Sequence, residues 1–572
     1  MKYFDTLGVM IDCSRNAVMT IPQLKKFIAL LAKMGYNHVE LYTEDTYEVD
    51  GEPFFGYFRG KYSQAELKEL DDYAYGLGVE LVPCIQTLAH LNAIFRWEKY
   101  KAMTDIDDIL LVDDERTYQL IEAMISSLRK CFRTKKIHIG MDEAGRLGQG
   151  RYRELHGEQD RTNILLYHLN KVCEITDKYG FEPMMWSDMF YRLANGGEYY
   201  GLSTKFNADI RNKIPEKVTL VYWDYYHTDK KTYTAMIAGH KKLTDRVMLA
   251  GGAWKWGGFT PHNEFAIRTI KAGFNACIEG GLRDAVITLW GDNGAEASVY
   301  SVLPALCYAA CLAQGITAPD EIKANFRKWV GYEYDDFMLL DLPDRSVPTK
   351  EVIDKVRYAL LNPSKYQLYN DCFMGIFDTS IAPGESKKYA TYGRKLQNAA
   401  KRTGEYSYLF RAAAAFCTLL SYKSNIGIRT REVYADITGI RTGVVKADTT
   451  GNNTNVAAAP AGFIDTSTDK AAALAELDKL IADYKKMIKL AEQFYLAFRN
   501  QWYLENKPHG FDVQDARLGG LIMRMKSCLD RLTAFRNSEI TSIPELEEPV
   551  LPLHTKKTYH NHWDTNITTN IL

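Results

Sequence analysis

The chain has 572 residues, 46% of them hydrophobic and 25% charged, and its 71 Lys and Arg against 72 Asp and Glu leave a net charge of −1. That length exceeds one ordinary core and calls for two or three domains. With no net field and no long basic run, the composition argues against nucleic acid or an anionic membrane as partner.

From Leu7 to about Gly315 short apolar runs alternate with amphipathic helical patterns. Strands are expected at Gly8–Asp12, His38–Tyr42, Glu80–Ile85, Lys136–Met141, Met184–Ser187, Thr219–Trp223, Val247–Ala250 and Ala285–Trp290. Helices are expected at Ile21–Met34, Ser63–Leu77, Arg116–Cys131, Thr162–Tyr179, Asn263–Glu279 and Ala295–Ala313. Eight strand–helix alternations predict an α/β fold, a (β/α)8 TIM barrel over residues 1–315, with its site in the loops after the strands. Beyond Thr317 the periodicity turns helical, giving an all-helical C-terminal domain over 316–541. Its expected helices are Pro319–Val330, Thr349–Leu361, Ser386–Arg402, Glu405–Ser424, Thr468–Asn506 and Val513–Phe535. The longest places Leu474, Leu477, Ile481, Tyr484, Ile488, Ala491, Tyr495 and Phe498 on one face. At 1.5 Å per residue it extends on the order of 50 Å, enough to pack on the barrel or a second subunit, so a homodimer is plausible. Lys446–Pro460 reads as a loop, and the tail from Ser542, with Pro544, Pro549 and Pro552, as extended.

The first ten residues show no apolar run of signal-peptide length and no later stretch reaches a membrane span, which points to the cytoplasm. Ten Cys without CxxC spacing read as reduced core thiols, Cys307 and Cys311 among them. His560 and His562 in the tail lack the further ligands a metal needs. Neither a metal nor a cofactor is expected.

The stretch Lys136 to Arg146 carries the chemistry. Ile137, Ile139 and Met141 alternate with His138, Gly140 and Asp142, as in a buried strand that ends at Asp142 and passes Glu143 to a loop. Two adjacent carboxylates thus emerge at a strand's C-terminal end, unlike the pairs Asp114-Glu115 and Asp320-Glu321, which read as helix-start acids. Other strand ends add Asp12 and Arg15, Glu44 and Asp45, Gln86 and His90, Trp186 and Asp188, Trp223 to Tyr226, Trp254 and Trp256, and Trp290 and Asp292. Aromatic walls with carboxylates suit sugars, whose C–H faces stack on rings while hydroxyls bond to acids. Consecutive side chains diverge, so one acid can orient substrate while the other trades protons.

His138-Ile-Gly-Met-Asp-Glu143 resembles the His-x-Gly-Gly-Asp-Glu signature of glycoside hydrolase family 20, the β-N-acetylhexosaminidases. Leu7 to Arg15 resembles the family's first-strand segment Arg-Gly-x-x-x-Asp-x-x-Arg, Thr43-Glu44-Asp45 its Thr-Asp-Asp, and Pro83 to His90 its third-strand segment ending in Gly-His. Trp186, Trp223 and Trp290 fall on strands where the family has pocket tryptophans. A barrel starting almost at residue 1 and followed by helices is most similar to the compact bacterial subgroup.

The resemblance implies removal of terminal GlcNAc or GalNAc from a small glycoside or oligosaccharide, with retention, the substrate's acetamido oxygen acting as nucleophile. It implies Glu143 as general acid and base, Asp142 as holder of the acetamido N–H, and Glu44 with His90 as tuners of the Glu143 proton. Trp186, Trp223 and Trp290 then wall the sugar, Asp292 bonds its hydroxyls, and Tyr225, before Tyr226 and Tyr222, binds the acetamido oxygen. The sequence departs from the family at Leu7, where the family has its hydroxyl-gripping Arg, so Arg15 or an acid must grip instead. Met141 stands for the signature's second Gly. Gly251 to Gly258 replaces the usual Tyr-x-Asp, which makes Trp254 a candidate wall.

Plainer readings stand beside these: His138 as a core histidine, Arg15 as ion-pair partner of Asp12, Trp256 and Tyr226 as loop packing, Asp188 and Asp224 behind the site. Three rivals remain: a metal-dependent hydrolase on His90, His138 and Asp142; a glycosidase with Glu44 or Asp45 as nucleophile; and a sugar-binding protein on an inactive barrel.

Overall fold

A computed structural model of the chain describes residues 2–345, 362–378, 381–440 and 468–551. The expected helix Thr349–Leu361, the loop Lys446–Pro460 and the tail histidines His560 and His562 lie outside the described residues. The chain divides into two compact units. One comprises Met1–Trp256, His262–Phe337 and Glu505–Gly510, and the other Gly257–Pro261, Met338–Leu504 and Phe511–Leu572.

The first unit is the barrel. Its strands are β1 (Thr6–Asp12), β2 (His38–Tyr42), β3 (Glu80–Cys84), β6 (Lys136–His138), β7 (Glu182–Trp186), β8 (Thr219–Trp223), β9 (Val247–Gly252) and β10 (Asp284–Leu289). All pair parallel, and β1 closes on β10 through the register Leu7 with Ala285 and Met10 with Thr288. Strands buried on both faces read as continuous apolar runs, as β1 does from Leu7 to Ile11. Gly8 is where the barrel cannot take a side chain, since a Cβ there would sit 2.6 Å from the His38 ring.

Helices follow because apolar residues recur at three and four. Ile21–Met34, with Pro at its start and the left-handed Gly35 (φ +94) closing it, buries Leu24, Phe27, Ile28 and Leu31 against the strands. Each such side chain contributes about 1.5–3 kcal/mol of burial.

Three expectations for the barrel need correction. A small antiparallel hairpin, β4 (Thr104–Ile106) with β5 (Ile109–Leu110), interrupts the alternation after β3. The helix expected over Ala295–Ala313 begins only at Leu303: Ala295 is left-handed (φ +53), Val299–Val302 is a 3-10 turn capped by Ser298, and Pro304 fits only a helix's first turn. The central strand stops at His138 rather than Met141, because Gly140 and Met141 are both left-handed (φ +72 and +71).

The second unit is helical, built on Glu385–Ala400, Ser407–Lys423, Ile426–Thr438, Thr468–Glu505 and Phe511–Arg536. The helix Ile426–Thr438 is not apparent in the pattern, and Pro544–Glu547 forms one helical turn in the tail expected to be extended, with Pro544 at its start. The 38-residue helix Thr468–Glu505 buries Leu477, Ile481, Tyr484, Ile488 and Phe498, whereas Leu474 and Tyr495 are half-buried. No helix among the described residues is long and apolar enough to cross a membrane.

Candidate active site

The adjacent acids stand on a left-handed turn. After β6 the chain runs through Gly140 (φ +72), Met141 (φ +71) and Glu143 (φ +52), and a buttress from β3 shapes it. Gln86, fully buried, accepts the Met141 N–H at Oε1 (3.2 Å) and donates from Nε2 to Asp142 Oδ1 (2.7 Å) and to the Tyr42 hydroxyl (2.9 Å). A Cβ on Gly140 would lie 2.1 Å from that Gln86 oxygen, so glycine is required there. Met141 takes a backbone that costs a non-glycine residue about 1–2 kcal/mol. Holding such a conformation is characteristic of functional turns.

The two acids have opposite surroundings. Asp142 is 8% exposed, and its Oδ2 lies 3.3 Å from His90 Nε2. Burial pushes its pKa upward, but the His90 charge beside it and the hydrogen bond from Gln86 prevail, so it is held below the ordinary carboxylate value. Burial likewise opposes charge on His90, yet Asp142 and then Glu44 lift its pKa to about 10, making it an imidazolium at neutral pH. His90 is itself left-handed (φ +58), tied by its N–H to Asp108 Oδ2 (3.0 Å). The Glu143 side chain is 48% exposed. Its N–H donates to Asp188 Oδ2 (3.1 Å), Arg192 donates to its Oε1 (3.2 Å), and its Oε2 lies 3.7 Å from His90 Nε2.

Around this turn the other strand ends gather. Arg15 pairs with Glu44 (3.3 Å), not with Asp12. Asp12 is already occupied, accepting from Ser14 N and Oγ and from Gly291 N, and so ties the end of β1 to the loop after β10. Burial pushes Glu44 up to about 7 against the pull of Arg15 and His90, while Asp292 stands exposed at the rim with Arg15 and Asp12 near it. Asp45 is taken by Arg59 (3.2 Å).

Rings form the wall. Trp290 meets Tyr42 edge-on (4.7 Å between centroids), Trp186 (5.9 Å) and Tyr225 (6.5 Å). Trp223 stacks on Tyr225 (5.5 Å). Trp256 meets Tyr225 (5.6 Å), and Trp254 stacks on Trp256 (4.3 Å), donates to the Tyr225 carbonyl (2.7 Å) and touches Phe265 behind it. Gly252 at the end of β9 makes this possible, since a Cβ there would meet both Trp256 and Tyr225 within 3 Å. Tyr222, the third candidate for the acetamido oxygen, faces the helix layer instead, its ring 4.8 Å from His240 and its hydroxyl on Asp224 Oδ2 (2.8 Å). Alternation along β8 sends Tyr222 outward while its neighbours turn to the barrel.

Sequence reasoning placed Gln86 at a strand end without assigning it a task, and passed over Arg192 and Asp108. Of the two passed over, Arg192 left a signal, its i, i+4 spacing from Asp188 on the helix Asp188–Ala194, and the two pair at 2.9 Å.

Among the described residues, one group approaches metal-ligand geometry: Glu40, Cys84 and His138 inside the barrel. His138 Nδ1 accepts the Gly140 N–H (3.2 Å), which assigns the ring proton to Nε2 and leaves no lone pair there for a metal. Its ring packs on Trp186 (4.4 Å), as a core histidine.

Residues 4–246 match the family model described as Glycosyl hydrolase family 20, catalytic domain, and residues 335–439 with 468–564 match that described as Glycoside Hydrolase 20C C-terminal domain. The chain belongs to glycoside hydrolase family 20. It is similar to Hexosaminidase D of Bos taurus (23% identical over 251 residues, 42% of this chain and 68% of that protein). The Hexosaminidase D of Homo sapiens is 24% identical over 220 residues, 37% of this chain and 43% of that one, so the match spans less than half of the human relative. Among solved structures it is similar to a GH20 exo β-N-acetylglucosaminidase from Vibrio harveyi, 14% identical with a TM-score of 0.44, covering 59% of this chain and 58% of that one.

Against the family 20 signature, Met141 occupies a position whose left-handed backbone explains the Gly usually found there. Leu7 is fully buried in β1 opposite Ala285, at the strand's far end from the acids. Arg15 lies at the rim, paired with Glu44 and near Asp292.

Proposed function

We propose that this family 20 chain is an exo-acting β-N-acetylhexosaminidase that removes terminal GlcNAc or GalNAc with retention, using the substrate's own acetamido oxygen as nucleophile. The observation that supports this best is the unequal treatment of neighbouring acids. Asp142 is buried and kept ionised between Gln86 and His90, as a residue that receives an amide N–H must be. Glu143 is half exposed at the mouth, as a residue that trades protons must be.

In this mechanism Glu143 gives its proton to the glycosidic oxygen as the acetamido oxygen closes on the anomeric carbon and the aglycone leaves. Asp142 accepts the acetamido N–H and balances the positive oxazolinium. Glu143 then takes a proton from the water that opens the ring. A tethered nucleophile has an effective molarity of about 10⁵–10⁸ M, so no protein nucleophile is required. Trp223, Trp254 and Trp290 with Tyr225 line the sugar, Trp186 backs Trp290 from its fully buried place beside His138, and Arg15, Glu44 and Asp292 meet the outer hydroxyls.

Matched aryl β-glycosides with and without the 2-acetamido group test the reading. Cleavage of the N-acetylated pair alone, with the β-anomer as first product by NMR, is expected. Equal cleavage of the 2-hydroxy glycoside, or a covalent sugar ester on the protein, overturns it.

A further inference from the structure

Arg192 holds Glu143 in a way the catalytic scheme has not used. It lies on the short helix Asp188–Ala194 after β7, half-shielded over the Tyr199 and Trp223 rings (5.9 and 6.0 Å). Its Nε donates to Asp188 Oδ2 (2.9 Å), one terminal nitrogen to Glu143 Oε1 (3.2 Å) and the other to the Gly197 carbonyl (3.3 Å). The same Asp188 oxygen accepts the Glu143 backbone N–H (3.1 Å), so one buried carboxylate and one guanidinium grip Glu143 by main chain and side chain together. With Oε1 occupied, Oε2 is the oxygen turned toward His90 and available to carry the transferable proton.

We propose that Arg192 is the positioning residue of the general acid: it aims Glu143 and answers the negative charge that appears there as the proton departs, with Asp188 as its counter-ion. The proposal rests on the reading of Glu143 as the proton donor. In the first step the Oε2–H bond breaks, the proton joins the glycosidic oxygen and the electron pair stays on the carboxylate, where the guanidinium meets it. In the second step Oε2 recovers a proton from water and the attraction relaxes. An interaction that strengthens as charge develops favours the transition state over the ground state.

The groups facing Glu143 are Arg192 and Asp188 from the short helix after β7, His90 from the loop after β3, Asp142 beside it and Asp292 after β10; Tyr199 faces Asp188 and Arg192. Arg192 sets a full positive charge at salt-bridge distance from Glu143. Asp188 offsets that charge, and because burial and then Asp142 push its own pKa up to about 7, the offset fades in acid.

The test is the pH profile of kcat/KM on paired substrates, one with a poor leaving group and one with a good one. Arg192→Met is expected to cut kcat about 10–100-fold on the poor leaving group, much less on the good one, with KM little changed. Its basic limb should move up by about one pH unit, and that of Asp188→Asn down by about one. Arg192→Lys should recover part of the rate and return the limb. An unmoved limb, or equal losses on both substrates, refutes the proposal; if Arg192→Met does not fold, Arg192→Lys against Asp188→Asn decides by the same opposed shifts. Glu143→Gln separates the two failures: if it leaves the rate unchanged, the donor assignment falls. If it abolishes turnover while the Arg192 limb stays put, only the positioning role falls.

Discussion

The two ends of the barrel make opposite use of charge. At the amino end a cavity of about 350 Å³ opens among Thr6, His38, Lys136, Glu182, Arg246 and Arg283. Ion pairs stand at the surface there, Arg246 with Glu182 (3.0 Å), Arg283 with Asp5 (2.7 Å) and Lys136 with Glu80 (2.8 Å), and the buried acid beneath them, Glu40, is paired with His38 (2.9 Å). At the carboxyl end, acids outnumber their partners, and burial raises Glu44 and Asp188 while His90 becomes a stable cation. A cavity alone therefore does not mark the chemistry; unbalanced, buried charge does.

Substitutions at both ends sharpen that contrast, beginning with the largest expected effect. Glu143→Gln is expected to lose about 10²–10⁴ in kcat/KM on a glycoside with a poor leaving group. Steady-state rates check this, and retained product binding shows that the pocket persists. Asp142→Asn should fall by a similar factor, and a near-native rate would mean that something else holds the acetamido group. Gly140→Ala should cost activity without touching an acid, because its methyl displaces Gln86 and with it the turn; thermal melting should fall too.

His90→Gln removes the cation beside Asp142, so the Asp142 pKa must rise and the acid limb of the rate profile must move to higher pH. The same change bears on stability. The His90 pKa is raised on folding, so its contribution is fully present below about 6.5, the unfolded value, and is lost as pH climbs through about 10. Wild type should therefore lose its advantage over His90→Gln in melts taken above pH 9. Smallest of all, Arg246→Ala at the amino end breaks a half-exposed pair and should change stability by less than about 1 kcal/mol and leave turnover alone. Comparable losses at both ends would erase the distinction.

Much of the barrel is local enough to read along the chain. Strands β2 and β8 and the helix Ile21–Met34 have the bounds that periodicity and punctuation suggest, as does Pro319–Val330, expected in the helical domain but grouped with the barrel unit, since alternation and helical spacing are properties of neighbours. The same logic failed at Gly140 and Met141, where apolar and polar residues go on alternating although the backbone has left the strand. Alternation records which side is buried, not the sign of φ.

The sequence by itself determined that eight strand ends would bring acids, one histidine and several tryptophans to a common rim, because parallel strands in a closed barrel point the same way. Only the tertiary structure decided which charges face which. Arg15 meets Glu44 rather than Asp12, Tyr222 turns to the helices, and Arg192 reaches Glu143 across 49 residues of chain. Those choices follow from burial and from which hydrogen-bonding sites are already taken, and neither is written in the spacing of residues along the chain.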